Sequence, residues 1–182
     1  MPQNMLVVSN IEALTQLRAL LDRLNDEQYG TIVCDIAVST LGCHVRHVIE
    51  HYECFINDLD NGLIDYDARS RDSIIESRRD VARERVAEIE QRLIQLNRKG
   101  VSGQEKMQIR LRTDMRTIDV PPVESSLARE LVFLHGHTTH HFAQMALHMR
   151  AMGLSIDKQF GMAASTQAYH QQAEKSSRTI AS

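Results

Sequence analysis

Between Leu127 and Met152, eight residues fall four and three apart in strict alternation: Leu127, Leu131, Leu134, Thr138, His141, Met145, His148 and Met152. An α-helix gathers that rhythm into one narrow stripe, and a stripe so narrow is buried between neighbouring helices. Gly153 is the expected stop, and Ser125 or Ser126 the expected N-cap. Within this helix, residues 131–148 carry five of the chain's nine histidines. His137 and His141 stand four apart, so their rings lie one above the other.

Three further stretches share the helical period. Ser9-Asn10-Ile11-Glu12 has the form of a capping box ahead of Leu14, Leu17, Leu20, Leu21 and Leu24, with an end expected near Gln28 and Gly30. A second helix is expected from a Ser39 cap to Asn61-Gly62, with Leu41, Val45, Val48, Tyr52, Phe55 and Leu59 inward. The third is expected from Ser73-Ile74-Ile75-Glu76 to Gly100, with Ala82, Val86, Ile89, Leu93 and Leu96 as its seam. Thr31–Ala37 reads as a linker and Leu63–Asp72 as a charged loop. Met107, Ile109 and Leu111 alternate with polar residues, the period of a short strand, and Pro121-Pro122 ends that excursion. The reading is therefore all-α: a four-helix bundle over residues 1–155, with a short β excursion between the third and fourth helices. Residues 156–182 form a partly ordered C-terminal extension, in which a loop, FGMAAST, precedes a weakly helical AYHQQAEK.

Composition narrows the function. Hydrophobic residues make up 42% and charged residues 25% of 182 residues, as in a folded domain. A net charge of −3 and the absence of Trp argue against a nucleic-acid partner. No apolar run reaches the ~18 residues of a membrane span, and MPQNMLVVSN lacks the form of a signal peptide. Three cysteines without C-x-x-C spacing fit a reducing, cytoplasmic setting.

An H-x-x-x-H pair is weak on its own, since most such pairs form a solvated stripe. Here the second helix adds His44, His47 and His51 within two turns, and each could supply a third nitrogen. Three neutral imidazoles with an open position make a catalytic-type metal site. At 1.5 Å per residue, His47 lies ~21 Å from the end of the second helix. His137 and His141 lie ~17 and ~23 Å from the start of the fourth. An antiparallel pairing therefore brings the rings to one level. The helical wheel instead sets His44 and His51 nearer the apolar stripe, so the choice among the three stays open on spacing alone. Glu50 and Gln144 are candidates to orient a ligand ring or a metal-bound water. Cys43 and Cys54 are ~16 Å apart along a helix, too far to share one ion. Position 138 is Thr where an H-E-x-x-H zinc protease has its Glu, and no Glu stands three residues before any His, as a di-iron carboxylate bundle requires.

Two stretches resemble the DinB-like superfamily of metal-binding four-helix bundles. One is Ser39-Thr40-Leu41-Gly42-Cys43-His44-Val45-Arg46-His47-Val48-Ile49-Glu50. The other is His137-Thr138-Thr139-His140-His141-Phe142-Ala143-Gln144, followed by Met149-Arg150-Ala151-Met152-Gly153. The resemblance implies metal ligands at His47, His137 and His141, an antiparallel bundle with a long crossover, and a homodimer. The chain departs from the family where Phe142-Ala143 replaces the usual Arg-Gly. Two functions are expected on this basis. The first is a metal-dependent transferase or hydrolase, in its most concrete form a thiol S-transferase using a divalent ion such as Zn²⁺, Ni²⁺ or Fe²⁺. The second is a non-catalytic, metal-stabilised dimeric bundle that binds a small ligand or a protein partner.

Overall fold

The computed structural model describes residues 4–33, 39–117 and 119–180, with the backbone alone for 174–180. The chain is mostly helical. In order it forms α1 (Met5–Arg23), α2 (Asp26–Gly30), α3 (Leu41–Asp58), a 3-10 turn (Leu59–Asn61) and β1 (Leu63–Asp65). There follow α4 (Ser73–Ser77), α5 (Arg79–Lys99), β2 (Lys106–Arg110), β3 (Val123–Ser126), α6 (Leu127–Ala151) and α7 (Ala164–Ile180). No described helix is long and apolar enough to cross a membrane.

Where a helix boundary is set by its own residues, it lies where the sequence places it. Ser126 caps α6, its Oγ accepting from the Arg129 amide. Gly100 closes α5 in the left-handed conformation, φ 76°, as a C-terminal glycine does. Distant packing moves other boundaries. The helix expected from Ser9 begins at Met5 under an Asn4 cap, and Ser9 Oγ donates back to the Met5 carbonyl. Val7 is fully buried and extends the stripe of Leu14, Leu17 and Leu21 two turns back, which outweighs the capping preference of Ser9. This helix also ends early, at Arg23. Asn25 and Gln28 then form a reciprocal capping box that starts the separate α2. The cap of α3 is Thr40 rather than Ser39. The third expected helix is broken at Arg78, whose extended backbone separates α4 from α5. Residues 34–38, most of the expected linker, lie outside the described residues.

α1 packs on α5 and α6, and α3 packs on the same two helices. Side-chain pairs give their directions. His44 meets His141 and His51 meets Phe133, so α3 and α6 are antiparallel. Arg85 pairs with Glu53 and Arg92 with Asn57, so α3 runs along α5. Asn4 bonds Asn97 and Arg79 the Leu21 carbonyl, so α1 opposes α5. A polar chain ties three of these helices at one level. The Tyr52 hydroxyl donates to Asn10 Oδ1 at 2.7 Å and lies 3.3 Å from Thr138 Oγ1, while Asn10 Nδ2 donates to the Leu131 carbonyl. All three residues are buried and each finds a partner, as buried polar groups must.

The strands form one sheet of order β1-β2-β3. β2 and β3 are antiparallel, with Met107 opposite Ser125 and Ile109 opposite Val123. Met107 and Ile109 face the core, as their alternation requires, while Leu111 falls beyond the strand. β1 lies inside the segment expected to be a loop and pairs in parallel with β2, Ile64 opposite Ile109. The β part is thus a three-stranded sheet that spans α4 and α5, rather than a single excursion before α6. The tail also differs from expectation, since α7 begins at Ala164, inside the FGMAAST segment.

Gly42 marks the tightest helix contact near the site. A Cβ there would stand 2.0 Å from the Glu76 carbonyl oxygen and 2.9 Å from Tyr29 Cε1. The carbonyl is backbone and cannot rotate aside. Gly42→Ala is expected to destabilise the protein by about 1–3 kcal/mol, the usual cost of overpacking, read as a lower urea midpoint at unchanged slope.

Candidate metal centre

Because α3 and α6 are antiparallel, the helical spacing of His44, His47 and His51 is laid against that of His141, His137 and Phe133. His47 is central. Its ring centroid is 4.6 Å from that of His141 and 5.0 Å from that of His137, and the latter two are 4.6 Å apart. Each of the three offers one nitrogen, and these nitrogens all lie within 4.8 Å of one another. Among the described residues this is the one group of three that could hold a metal ion.

His44 and His51 do other work. His44 Nδ1 is 3.1 Å from His141 Nδ1, and its Nε2 is 3.1 Å from Ser39 Oγ. One proton assignment satisfies this chain and leaves His141 a free lone pair: His141 Nδ1–H donates to His44 Nδ1, and His44 Nε2–H donates to Ser39. His141 Nε2 then keeps its lone pair. His51 Nδ1–H donates to the His47 carbonyl at 2.7 Å, and its ring lies on Tyr66 at 5.7 Å. Phe133 stacks on His137 at 5.5 Å and packs on Tyr66 at 5.1 Å, closing this side. The Tyr66 hydroxyl donates to the buried Glu130, which also accepts from Ser125.

Burial sets the charge state. His47 is driven down to about 2, first by desolvation and then by His51, His141, Arg69 and His137. His141 falls to about 3, from desolvation and then His137 and His44. His137 falls to about 4, from desolvation followed by His140 and Arg69. For His51, also at about 4, desolvation outweighs the hydrogen bond to the His47 backbone. The rings are therefore neutral at pH 7, the form that binds metal. His137 Nε2 is buried and has no hydrogen-bond partner. Three neutral imidazoles with one orphaned nitrogen fit a divalent ion chemically. Tetrahedral ligation with Zn–N bonds of 2.0–2.1 Å sets nitrogens about 3.3 Å apart, so an ion would draw the rings inward.

The other sequence candidates have different places. Glu50 is buried, but its Oε1 accepts from the Asp72 amide at 2.9 Å and Ser70 Oγ at 3.3 Å. It anchors the 66–72 loop and bonds to no described histidine ring. That loop delivers Arg69, whose guanidinium is 2.6 Å from His47 Nδ1. Nothing local in DARSRD marks Arg69, since its place depends on the distant Glu50, which holds Ser70 and Asp72. Gln144 is exposed, so its expected role in orienting a ligand has no support. Phe142-Ala143 seats the C-terminal segment: Phe142 stacks on Phe160 at 4.5 Å, and a Cβ on Gly161 would come within 2.4 Å of the Ala143 amide nitrogen. Cys43 and Cys54 stand outside the group of three, and burial pushes the Cys54 thiol up to about 11. His148 is buried and donates from Nε2 to the Thr31 carbonyl.

A family model described as the DinB family matches residues 1–163. Comparison with curated proteins finds none that matches the chain.

The lowered histidines make stability depend on pH. Their folded values of about 2 to 4 lie below the ordinary 6.5. Between those limits the unfolded chain binds protons that the folded one refuses, so stability rises with pH. Stability present above about pH 6.5 is therefore expected to be lost as the pH falls toward 4. Urea midpoints measured in chelator should fall across that window, and less steeply in His51→Phe than in the wild type.

Proposed function

Because the chain belongs to the DinB family, we propose that His47, His137 and His141 hold one divalent metal ion in a metal-dependent enzyme. The ion sits between α3 and α6 of an antiparallel four-helix bundle made by α1, α3, α5 and α6. The pairwise packing and directions of those helices support the bundle. The observation that carries the metal reading is the convergence of three neutral nitrogens, one of them buried without a partner. Imidazole donors suit Zn²⁺, Ni²⁺ and Fe²⁺ alike.

A bound divalent ion with an open position supplies a lowered pKa to a water or thiol placed there. The residues of the chain do the rest. His44, through Ser39, fixes the tautomer and orientation of His141. Tyr66, Phe133 and His51 shut water out of one side, which strengthens electrostatic interactions within. On the far side of Tyr66 and Phe133 lies a separate cavity of about 570 Å³, lined with Ile109, Leu111 and Val123 and by none of the three histidines. The half-buried Cys54, with its raised pKa, is no thiolate nucleophile at neutral pH. In this reading the sulfur nucleophile is brought by a substrate. The reaction we infer is transfer of a low-molecular-weight thiol to a carbon electrophile. The S–H bond breaks and an S–C bond forms as the bond from carbon to the leaving group breaks with its electron pair, the proton passing to solvent or to the leaving group.

Metal analysis of the purified protein should find one equivalent per chain. His47→Ala, His137→Ala and His141→Ala should each weaken binding by more than the roughly 10–100-fold that loss of an outer partner costs, and His44→Phe by about that 10–100-fold. The loaded wild type should consume bacillithiol, mycothiol or glutathione in the presence of a generic electrophile. Stoichiometric metal without turnover would leave a metal-stabilised bundle and remove the transferase. Metal binding indifferent to all three substitutions would remove the site.

A further inference from the structure

We propose that Arg69 and a divalent metal ion are alternative partners of the same His47 imidazole, so that metal uptake breaks the Arg69–His47 hydrogen bond. This inference rests on the metal reading above. The guanidinium stands 2.6 Å from His47 Nδ1. A guanidinium has only donors and keeps its proton in proteins, so Nδ1 must accept. A neutral imidazole has one ring lone pair to give. With that pair turned to Arg69, the ring hydrogen is on Nε2, which then has nothing to offer a cation. Metal binding at Nδ1 would take the atom that Arg69 holds. Metal binding at Nε2 would move the hydrogen to Nδ1 and set one N–H against another at 2.6 Å. Either route ends the contact.

The contact is built rather than incidental. Arg69 is half-buried and its Nε is buried without a hydrogen-bond partner. The loop beneath it is held by Glu50 through the Asp72 amide and Ser70 Oγ. The guanidinium charge, 2.6 Å from the ring nitrogen, also repels a metal cation brought to it.

The test is a competition titration of Zn²⁺ and of Ni²⁺ between a chromophoric chelator and the metal-free full chain. Arg69→Gln and Arg69→Ala are expected to bind metal about tenfold to a hundredfold more tightly than the wild type, the loss of a charge-assisted hydrogen bond. Arg71→Gln, which removes a charge from the same loop but keeps the contact, is expected to stay within about twofold, as screening of an exposed charge dictates. Thermal melts establish that each variant is folded. Unchanged affinity in both Arg69 variants overturns the inference, and so does an equal gain in Arg71→Gln, which would make the effect one of long-range charge. Weaker binding also overturns it, since the ring would then be shared as an imidazolate between guanidinium and ion. Wild-type binding that needs the three histidines but ignores Arg69 defeats this inference alone. No binding in any variant defeats it together with the ligand assignment.

Discussion

The site exists because α3 and α6 lie against each other in opposite directions at a fixed height. Their imidazoles can meet only if the helices neither slide nor turn. Sliding is opposed by the buried Tyr52–Asn10–Thr138 chain, which a one-turn slip of about 5.4 Å would strand in an apolar interior. Turning is opposed by the core stripes, Val45, Val48, Tyr52 and Phe55 on α3 and Leu131, Leu134, Thr138 and Met145 on α6, all buried. The geometry of the three-histidine group is thus borne by apolar packing and one hydroxyl network, and the histidines inherit it.

That inheritance has an electrostatic side. Half-buried imidazoles crowded at centroid distances of 4.2 to 5.0 Å cannot all be protonated, and desolvation keeps them neutral well below pH 7. Neutral rings need hydrogen-bond partners, and the chain provides them unevenly. His141 has His44, His51 has a carbonyl, His47 has Arg69, and His137 Nε2 has none.

What the sequence makes legible follows the range of the forces involved. Ser126 and Gly100 end their helices through their own side chain or backbone, and both can be read locally. The seam of α5, from Ala82 to Leu96, is buried residue for residue because a period is a local property. Met5 as the start of α1 could not be read so, since the burial of Val7 depends on distant helices. β1 was hidden for the same reason: three residues gain their strand character by pairing with residues 45 positions on. Spacing alone brought His47, His137 and His141 within view of one another but left His44 and His51 open. Their separation rests on Ser39, Tyr66 and a backbone carbonyl, and on Phe133, none of which a histidine count contains. Arg69 carries no such mark, because a charged loop residue has no period to betray it.

The parallel pairing of β1 with β2 has a mechanical consequence for the stretch that follows it. Tyr66 is stitched to Arg110, and Arg112 bonds back to Asp67. At the other end Asp72 is held by Glu50 and caps α4. Residues 67–71 therefore form a short bridge between two abutments, with little slack to swing. Any withdrawal of the guanidinium must then come from side-chain torsions rather than from an opening flap. Motion of that kind belongs to the fast, rotameric class rather than to the microsecond class of moving loops.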